Sequence, residues 1–284
     1  MCRLLGTLSI SRVDAMAALC SAPQSLLYQS HVDKKRLQGD GWGVGWFEKS
    51  AARVAKSAEP MYRDRQHVLK IARRIKTHCL VGHVRWASNP LKLPKHELIG
   101  SHHSQPFRYK SWIFAHNGTL YIPREVQAAL GPWAKWVKGR NDSEVLFYWL
   151  MKNLNPILSR KGASIKQIRT AIQRGFRGLD KIWAQCRKKY PIYKYAYHGV
   201  NWVLTNGKIM IALCYVDPRG FDKAKALCSK QPYYQLQFQK TRERLTIASE
   251  PLDEVSPWQA IHHGELLVAK SMPRGIKLEQ IACL

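Results

Sequence analysis

A cysteine stands second in this chain, in Met-Cys-Arg-Leu-Leu-Gly. Removal of Met1, which aminopeptidases clip readily before a small residue, would leave the thiol of Cys2 beside a free α-amino group. One residue would then hold two catalytic parts. The sulfur is a nucleophile, and an α-amine with an ordinary pKa of about 7.7 to 8.0 takes the thiol proton near neutral pH. Cysteine at position two is also an ordinary occurrence, so the chemistry rests on what accompanies it. Asn117 and Gly118 end a strand-like run from Trp112, and a side-chain amide beside an unobstructed backbone N–H can aim two donors at one developing oxyanion. The same dipeptide is the commonest two-residue hairpin turn. Arg85 lies near the end of the apolar run 78–87, with Trp86 and a turn at Ser88-Asn-Pro90 behind it, where a guanidinium can enter a cleft. Asp142 sits in Asn141-Asp-Ser-Glu144, which also reads as a helix capping box. His96, His102 and His103 share a polar loop. Neighbours on a strand face opposite ways and no carboxylate stands at ligand spacing, so no metal or other cofactor is expected.

These groups need elements to hold them. Residues 2–8 read as a buried strand with Cys2 at its start, followed by a helix from Asp14 to about Ser21, ended by Pro23. Gly39-Asp-Gly-Trp-Gly-Val-Gly-Trp46 interleaves glycine with tryptophan, the pattern of a strand closely approached by another part of the molecule. A phosphate loop does not fit, because neither GxGxxG nor Gly-Lys-Ser is present. A short helix is expected over 124–130. The helix from Asn141 to Asn153 is apolar on nearly every side and so should be sandwiched between layers. Ser164 with Gln167 opens a long amphipathic helix to about Tyr190. Asn206-Gly207 joins the strands 200–205 and 208–216 as a hairpin, and the strands 233–238, 244–248 and 264–269 follow. With no linker, repeat or low-complexity stretch, one domain over 1–284 is the simplest organisation, with 156–198 as a basic helical insertion.

Forty-six Lys and Arg against 19 Asp and Glu give a formal charge of +27. Such a balance attracts polyanions: nucleic acid, or an acidic partner subunit. The cations concentrate over 160–194, which holds eleven Lys or Arg and one acid. No window has the roughly 18 to 20 apolar residues of a membrane span, and no signal peptide is seen. Seven scattered cysteines without a CxxC pair fit a reducing cytoplasm.

Six segments occur together and in order: Met1-Cys-Arg-Leu-Leu-Gly, Asp40-Gly-Trp-Gly-Val-Gly-Trp, Gly82-His-Val-Arg-Trp-Ala-Ser, Ala115-His-Asn-Gly-Thr-Leu, Asp142-Ser-Glu and Ala248-Ser-Glu-Pro-Leu. In this the chain resembles the class II glutamine amidotransferases, which are N-terminal nucleophile hydrolases, and among them stand-alone members such as the ergothioneine-pathway γ-glutamyl amidohydrolase. The resemblance implies an α+β fold, a four-layer αββα sandwich of two antiparallel sheets. It implies that Cys2 attacks a γ-glutamyl amide to form a thioester, that Asn117 and the N–H of Gly118 hold the oxyanion, that Arg85 and Asp142 take the substrate α-carboxylate and α-ammonium, and that Trp86 helps to close the pocket. The chain departs from the family at Gln105-Pro106, where relatives commonly have His-Pro. It ends near where such a domain would end, so any acceptor of released ammonia is expected on a synthase partner or not at all. The competing expectation is an idle scaffold of this fold that presents its basic helix to nucleic acid or an acidic partner.

Overall fold

The computed structural model describes residues 2–160, 162–216, 226–229 and 231–284, so the fate of Met1 lies outside the described residues. The first half comprises β1 (Arg3–Asp14), α1 (Leu26–Gln29), β2 (Trp42–Glu48), β3 (Ala51–Ser57), α2 (Arg65–Arg74), β4 (Lys76–Val84), β5 (Phe107–Tyr109), β6 (Trp112–Leu120) and α3 (Pro123–Ala129). The second comprises α4 (Asp142–Leu158), α5 (Ile165–Cys186), β7 (Tyr197–Thr205), β8 (Ile209–Cys214), β9 (Leu236–Lys240), β10 (Arg244–Ala248), β11 (Gln259–Ile261), β12 (Glu265–Met272) and β13 (Gly275–Ala282). One antiparallel sheet runs β11-β9-β10-β1-β4-β2-β3 and the other β13-β12-β8-β7-β6-β5.

Strand alternation divides the apolar residues into three cores and so builds four layers. Between the sheets lie Leu4 and Leu8 of β1, Cys79 and Val81 of β4, and Ile113 and Ala115 of β6. The opposite faces of β1, β2 and β4 send Leu5, Trp42, Val44, Leu80 and Val84 against Leu19, Leu26, Val68 and Ala72 of the first helical layer. Phe114, Trp202 and Leu204 face the second helical layer of α3, α4 and α5. The molecule is thus α+β, with two antiparallel sheets between helical layers. In α4 every residue from Asp142 to Met151 is buried, because sheet and helices cover it on all sides. Each fully buried Leu or Phe there contributes about 1.5–3 kcal/mol relative to exposure.

The glycines of β2 set how closely the sheets meet. A Cβ on Gly43 would stand 2.3 Å from the carbonyl oxygen of Gln105, and one on Gly45 would stand 2.8 Å from Ile113. The expected close approach is therefore made by the other sheet, and Gln105 reaches the interior through it.

β1 runs through Asp14, and the expected helical stretch follows directly over 15–21, with Asp14 Oδ1 accepting from the Met16 N–H at 2.6 Å. Other local expectations are corrected. Asn141 does cap α4, but Glu144 does not reciprocate: its carboxylate accepts from the N–H groups of Lys138 and Gly139, which loop back over it. His102 and His103 lie in the short turn Ser101–His103 of the expected polar loop, but their rings, 3.9 Å apart, do not face opposite ways. Asn117 and Gly118 form no turn, for β6 runs through them and remains paired with β7 as far as Tyr197. The capping box of Ser164 and Gln167 is present, and α5 buries Ile168, Ile172, Phe176 and Leu179 while exposing Lys166, Arg174, Arg177 and Lys181. Arg169 on the same helix is half-buried.

Candidate active site

At one end the inter-sheet core turns from apolar to polar. The row Leu4, Gly6 and Leu8 on the inner face of β1 continues backward to Cys2, which is buried. On β4 the row of Cys79 and Val81 continues to His83 and then to Arg85, one residue beyond the strand end. On β6 the row of Ile113 and Ala115 continues to Asn117. Cross-strand registers bring these ends level: His83 pairs with Leu4, and His83 Nε2 lies 3.3 Å from the carbonyl oxygen of His116 in the other sheet.

The Cys2 thiol accepts from the Trp86 N–H and faces the Trp86 carbonyl, each at 3.4 Å. Burial pushes its pKa up, opposed by that N–H and by the charge of Arg85, while Asp142 adds to the rise. Arg85 is itself 3% exposed, with Nη1 donating to the Leu98 carbonyl at 2.7 Å and to the Asp40 carbonyl at 3.4 Å. Burial lowers its pKa, against the pull of Cys2, Asp142 and Asp40. Asp142, the first residue of α4, accepts from Ser88 Oγ at 3.0 Å and from the Leu120 N–H at 2.8 Å. It therefore ties the segment after Arg85 to the end of β6. Burial raises its pKa against the Leu120 N–H, the Ser88 hydroxyl and the Arg85 charge. Cys2, Arg85 and Asp142 thus lie within one another's electrostatic reach.

Asn117 is 1% exposed, and neither Nδ2 nor Oδ1 has a hydrogen-bond partner. A buried amide is normally paired, and an unsatisfied one costs about 1–3 kcal/mol. Gly118 follows at a register shift in the β6–β7 pairing, where a Cβ would lie 1.8 Å from the carbonyl oxygen of Gly199. Only glycine fits so close an approach. Trp86 is 39% exposed at the rim and lines a cleft of about 520 Å3 together with Asp40, Ala87 and Leu98.

Several supporting residues were given no role from the sequence. Gln105 donates to the His116 carbonyl at 3.0 Å and accepts from the His116 N–H at 2.7 Å, so one side-chain amide fixes the peptide that leads into Asn117. His116 turns its ring to the helical side, with Nδ1 2.9 Å from Ser143 Oγ. Arg3 is fully buried, with Nε 2.9 Å from Glu250 Oε1 and its guanidinium 3.9 Å above the Tyr233 ring. Its Nη1 donates to the Cys2 carbonyl at 3.1 Å, and the Ser249 hydroxyl accepts from the Leu4 N–H at 3.0 Å. Ser249-Glu250 thereby clamps the start of β1. A turn was the whole of its local reading, and only its place among the six ordered segments marked it out.

The family described as class II glutamine amidotransferases matches residues 1–276. The gamma-glutamyl-hercynylcysteine sulfoxide hydrolase of Mycobacterium tuberculosis (strain CDC 1551 / Oshkosh) is 33% identical over 124 residues, 42% of this chain and 50% of that protein, so the match spans about half the relative's length. The putative glutamine amidotransferase YafJ of Escherichia coli (strain K12) is 24% identical over 80% of this chain and 83% of its own. Among solved structures, a glutamine aminotransferase class-II domain protein from Silicibacter pomeroyi is similar over 98% of both chains, with 15% identity and a TM-score of 0.59. The glutamine phosphoribosylpyrophosphate amidotransferase of B. subtilis is similar over 98% of this chain and 49% of that one, with 16% identity and a TM-score of 0.57. The two structures share the fold, and the match over nearly the whole chain carries the assignment: this protein belongs to the class II glutamine amidotransferase family.

Proposed function

We propose that the enzyme hydrolyses a γ-glutamyl amide through a thioester on Cys2. With Met1 removed, the α-amine takes the thiol proton and Sγ attacks the γ-carbonyl carbon. The C–N bond then breaks, and the amine leaves with that proton. Water cleaves the thioester, releasing glutamate and restoring the thiol. Asn117 Nδ2 and the Gly118 N–H hold the oxyanion, Arg85 takes the α-carboxylate and Asp142 the α-ammonium. A guanidinium suits a carboxylate because it can donate twice in one plane. The burial-raised pKa of Cys2 explains the need for an adjacent base, since the unaided thiol stays protonated at neutral pH. An arriving ammonium favours the charged form of Asp142, which burial alone disfavours.

The observation that carries this reading is the unpartnered amide of Asn117, buried on the inner face of its sheet, across the inter-sheet space from the sheet whose strand β1 follows directly on Cys2. A donor kept free at a cost in stability is explained if its partner arrives with the substrate. The name of the mycobacterial relative supports the γ-glutamyl class. Seven free cysteines support a reducing cytoplasm, and no helix of the described residues is long and apolar enough to cross a membrane. Glutamate release from a panel of γ-glutamyl amides tests the proposal. The processed protein should release it and Cys2→Ala should fall by about 10⁴-fold or more. A folded, Met1-free protein that releases none would sink the hydrolase reading.

One observation favours a second reading, a scaffold that binds a polyanion. Lys166, Arg174, Arg177, Lys181 and Lys188 are all exposed along α5 and the turn after it, with Asp180 the only acid between them. Retention on nucleic acid that fades with salt, and with charge reversal at Arg174 and Arg177, is its expected mark. Retention indifferent to both counts against it.

A further inference from the structure

The cleft beside Trp86 carries charge that the reaction as described leaves unused. It is lined in part by Lys34, Lys35 and Lys95, all exposed, and Asp40 is the only acid among the described residues that line it. The neighbouring carboxylates are engaged elsewhere. Asp33 lies 2.6 Å from Arg36 Nε, Glu97 pairs with Arg140, and Asp40 Oδ2 accepts from the Ala87 N–H at 2.8 Å. Among the described residues none of the three lysines is held in an ion pair. The segment that borders this cleft at Asn89 and Leu93 also borders a groove of about 250 Å3, lined on its charged side by Lys92, Arg124 and Lys189. Cations therefore flank the segment on both sides.

We propose that this cleft receives an anionic amine portion, so that the substrate is a γ-glutamyl amide of an acidic amine and not free glutamine. The inference rests on the hydrolase reading. There, Arg85 and Asp142 satisfy both charges of the glutamyl end, and in glutamine nothing but NH2 lies beyond the scissile bond. A cleft of about 520 Å3 touching the residue that contacts Cys2 Sγ has room for far more than an amino group. Its lysines favour carboxylates there, and the half-exposed indole of Trp86 offers an apolar face to the carbons between them.

The test compares γ-glutamyl-aspartate, whose amine portion carries two carboxylates, with the neutral γ-glutamyl-ethylamide. At low salt kcat/KM should favour the aspartate conjugate by about tenfold or more. That ratio should shrink by about two- to fivefold for each change in the series Lys34→Gln, Lys35→Gln and Lys95→Gln, the size of an exposed ion pair. It should also shrink at high salt, where exposed charges are screened. Equal kcat/KM for the two amides, or a ratio that survives all three substitutions, overturns the proposal. Turnover of the ethylamide in that case leaves the hydrolase reading standing. If neither amide is cleaved, the wider panel of γ-glutamyl amides decides the hydrolase reading, and calorimetric binding of both amides to Cys2→Ala protein still decides the charge question. Tighter, salt-sensitive binding of γ-glutamyl-aspartate upholds the lysine cleft, and equal binding removes it.

Discussion

Asn117 and Asn201 stand opposite each other on β6 and β7, on the same inter-sheet face and both buried. Asn201 is fully used: its Nδ2 donates to the Tyr234 carbonyl and its Oδ1 accepts from the Tyr215 N–H at 2.8 Å. Asn117 makes neither kind of bond. Residue type, burial and sheet position are shared, so the difference lies in what each amide is kept for. Asn201 holds the chain around β7 and β8 together, and the free amide of Asn117 is accounted for if, as proposed, it is kept for the oxyanion. His83 Nδ1, at the end of the inner-face row of β4, is also buried without a partner. Deeper between the sheets, Cys79 Sγ meets Thr205 Oγ1 at 3.2 Å within an apolar core. Burial pushes that thiol up to about 12.

The contrast can be broken by mutation. Asn117→Ala should lower kcat by about 10²- to 10³-fold, the usual loss for one oxyanion donor, while stability holds or rises. Coupled loss of both would make Asn117 a structural residue like its neighbour. Acid should expose the same region next. Burial lowers the pKa of His83 to about 3 and of His116 to about 4, against an ordinary 6.5. Both rings are thus neutral in the fold, and the unfolded chain takes up protons first. Stability is complete above about pH 6.5 and is lost as pH falls below it. At pH 5, about 1.5 units lower, about 1.4 kcal/mol per unit for each of two rings amounts to on the order of 4 kcal/mol. Thermal unfolding between pH 7 and pH 5 measures this, and a flat profile would show that the rings find proton acceptors. The smallest effect is expected at the satisfied amide. Asn201→Ala should cost about 2–3 kcal/mol in denaturant unfolding, with kcat within a few-fold of the parent protein. A hundredfold loss of kcat in folded Asn201→Ala protein would erase the distinction between the two asparagines.

How far this was legible in the sequence follows from the range of each interaction. The strands of β1, β4 and β6, the sandwiched α4 and the capped α5 were readable because their patterns are local and strongly apolar. The stretches that became α2 and β13 carried too few apolar residues to announce themselves, Val68 and Ala72 being the buried ones of α2. Asn117-Gly118 was ambiguous, because the same dipeptide serves a hairpin tip and a mid-strand irregularity. What decides is the continued pairing with β7, which no local window contains. The grip of Gln105 on His116 and the pair Arg3–Glu250 join segments far apart in the chain, so their partners could not be read from spacing. Cys2, Arg85, Trp86, Asn117, Gly118 and Asp142 were all named from the sequence, and strand alternation carries the inner-face rows that hold Cys2, Arg85 and Asn117 toward one end of the inter-sheet space.

Mass spectrometry of the protein after incubation with 6-diazo-5-oxo-norleucine, an electrophilic mimic of glutamine, tests the central claim most directly. The expected product is a single covalent adduct on the sulfur of Cys2 in chains that have lost Met1, with none on the six other cysteines. Folded, processed protein that stays unlabelled, or that is labelled at another thiol, contradicts a catalytic Cys2.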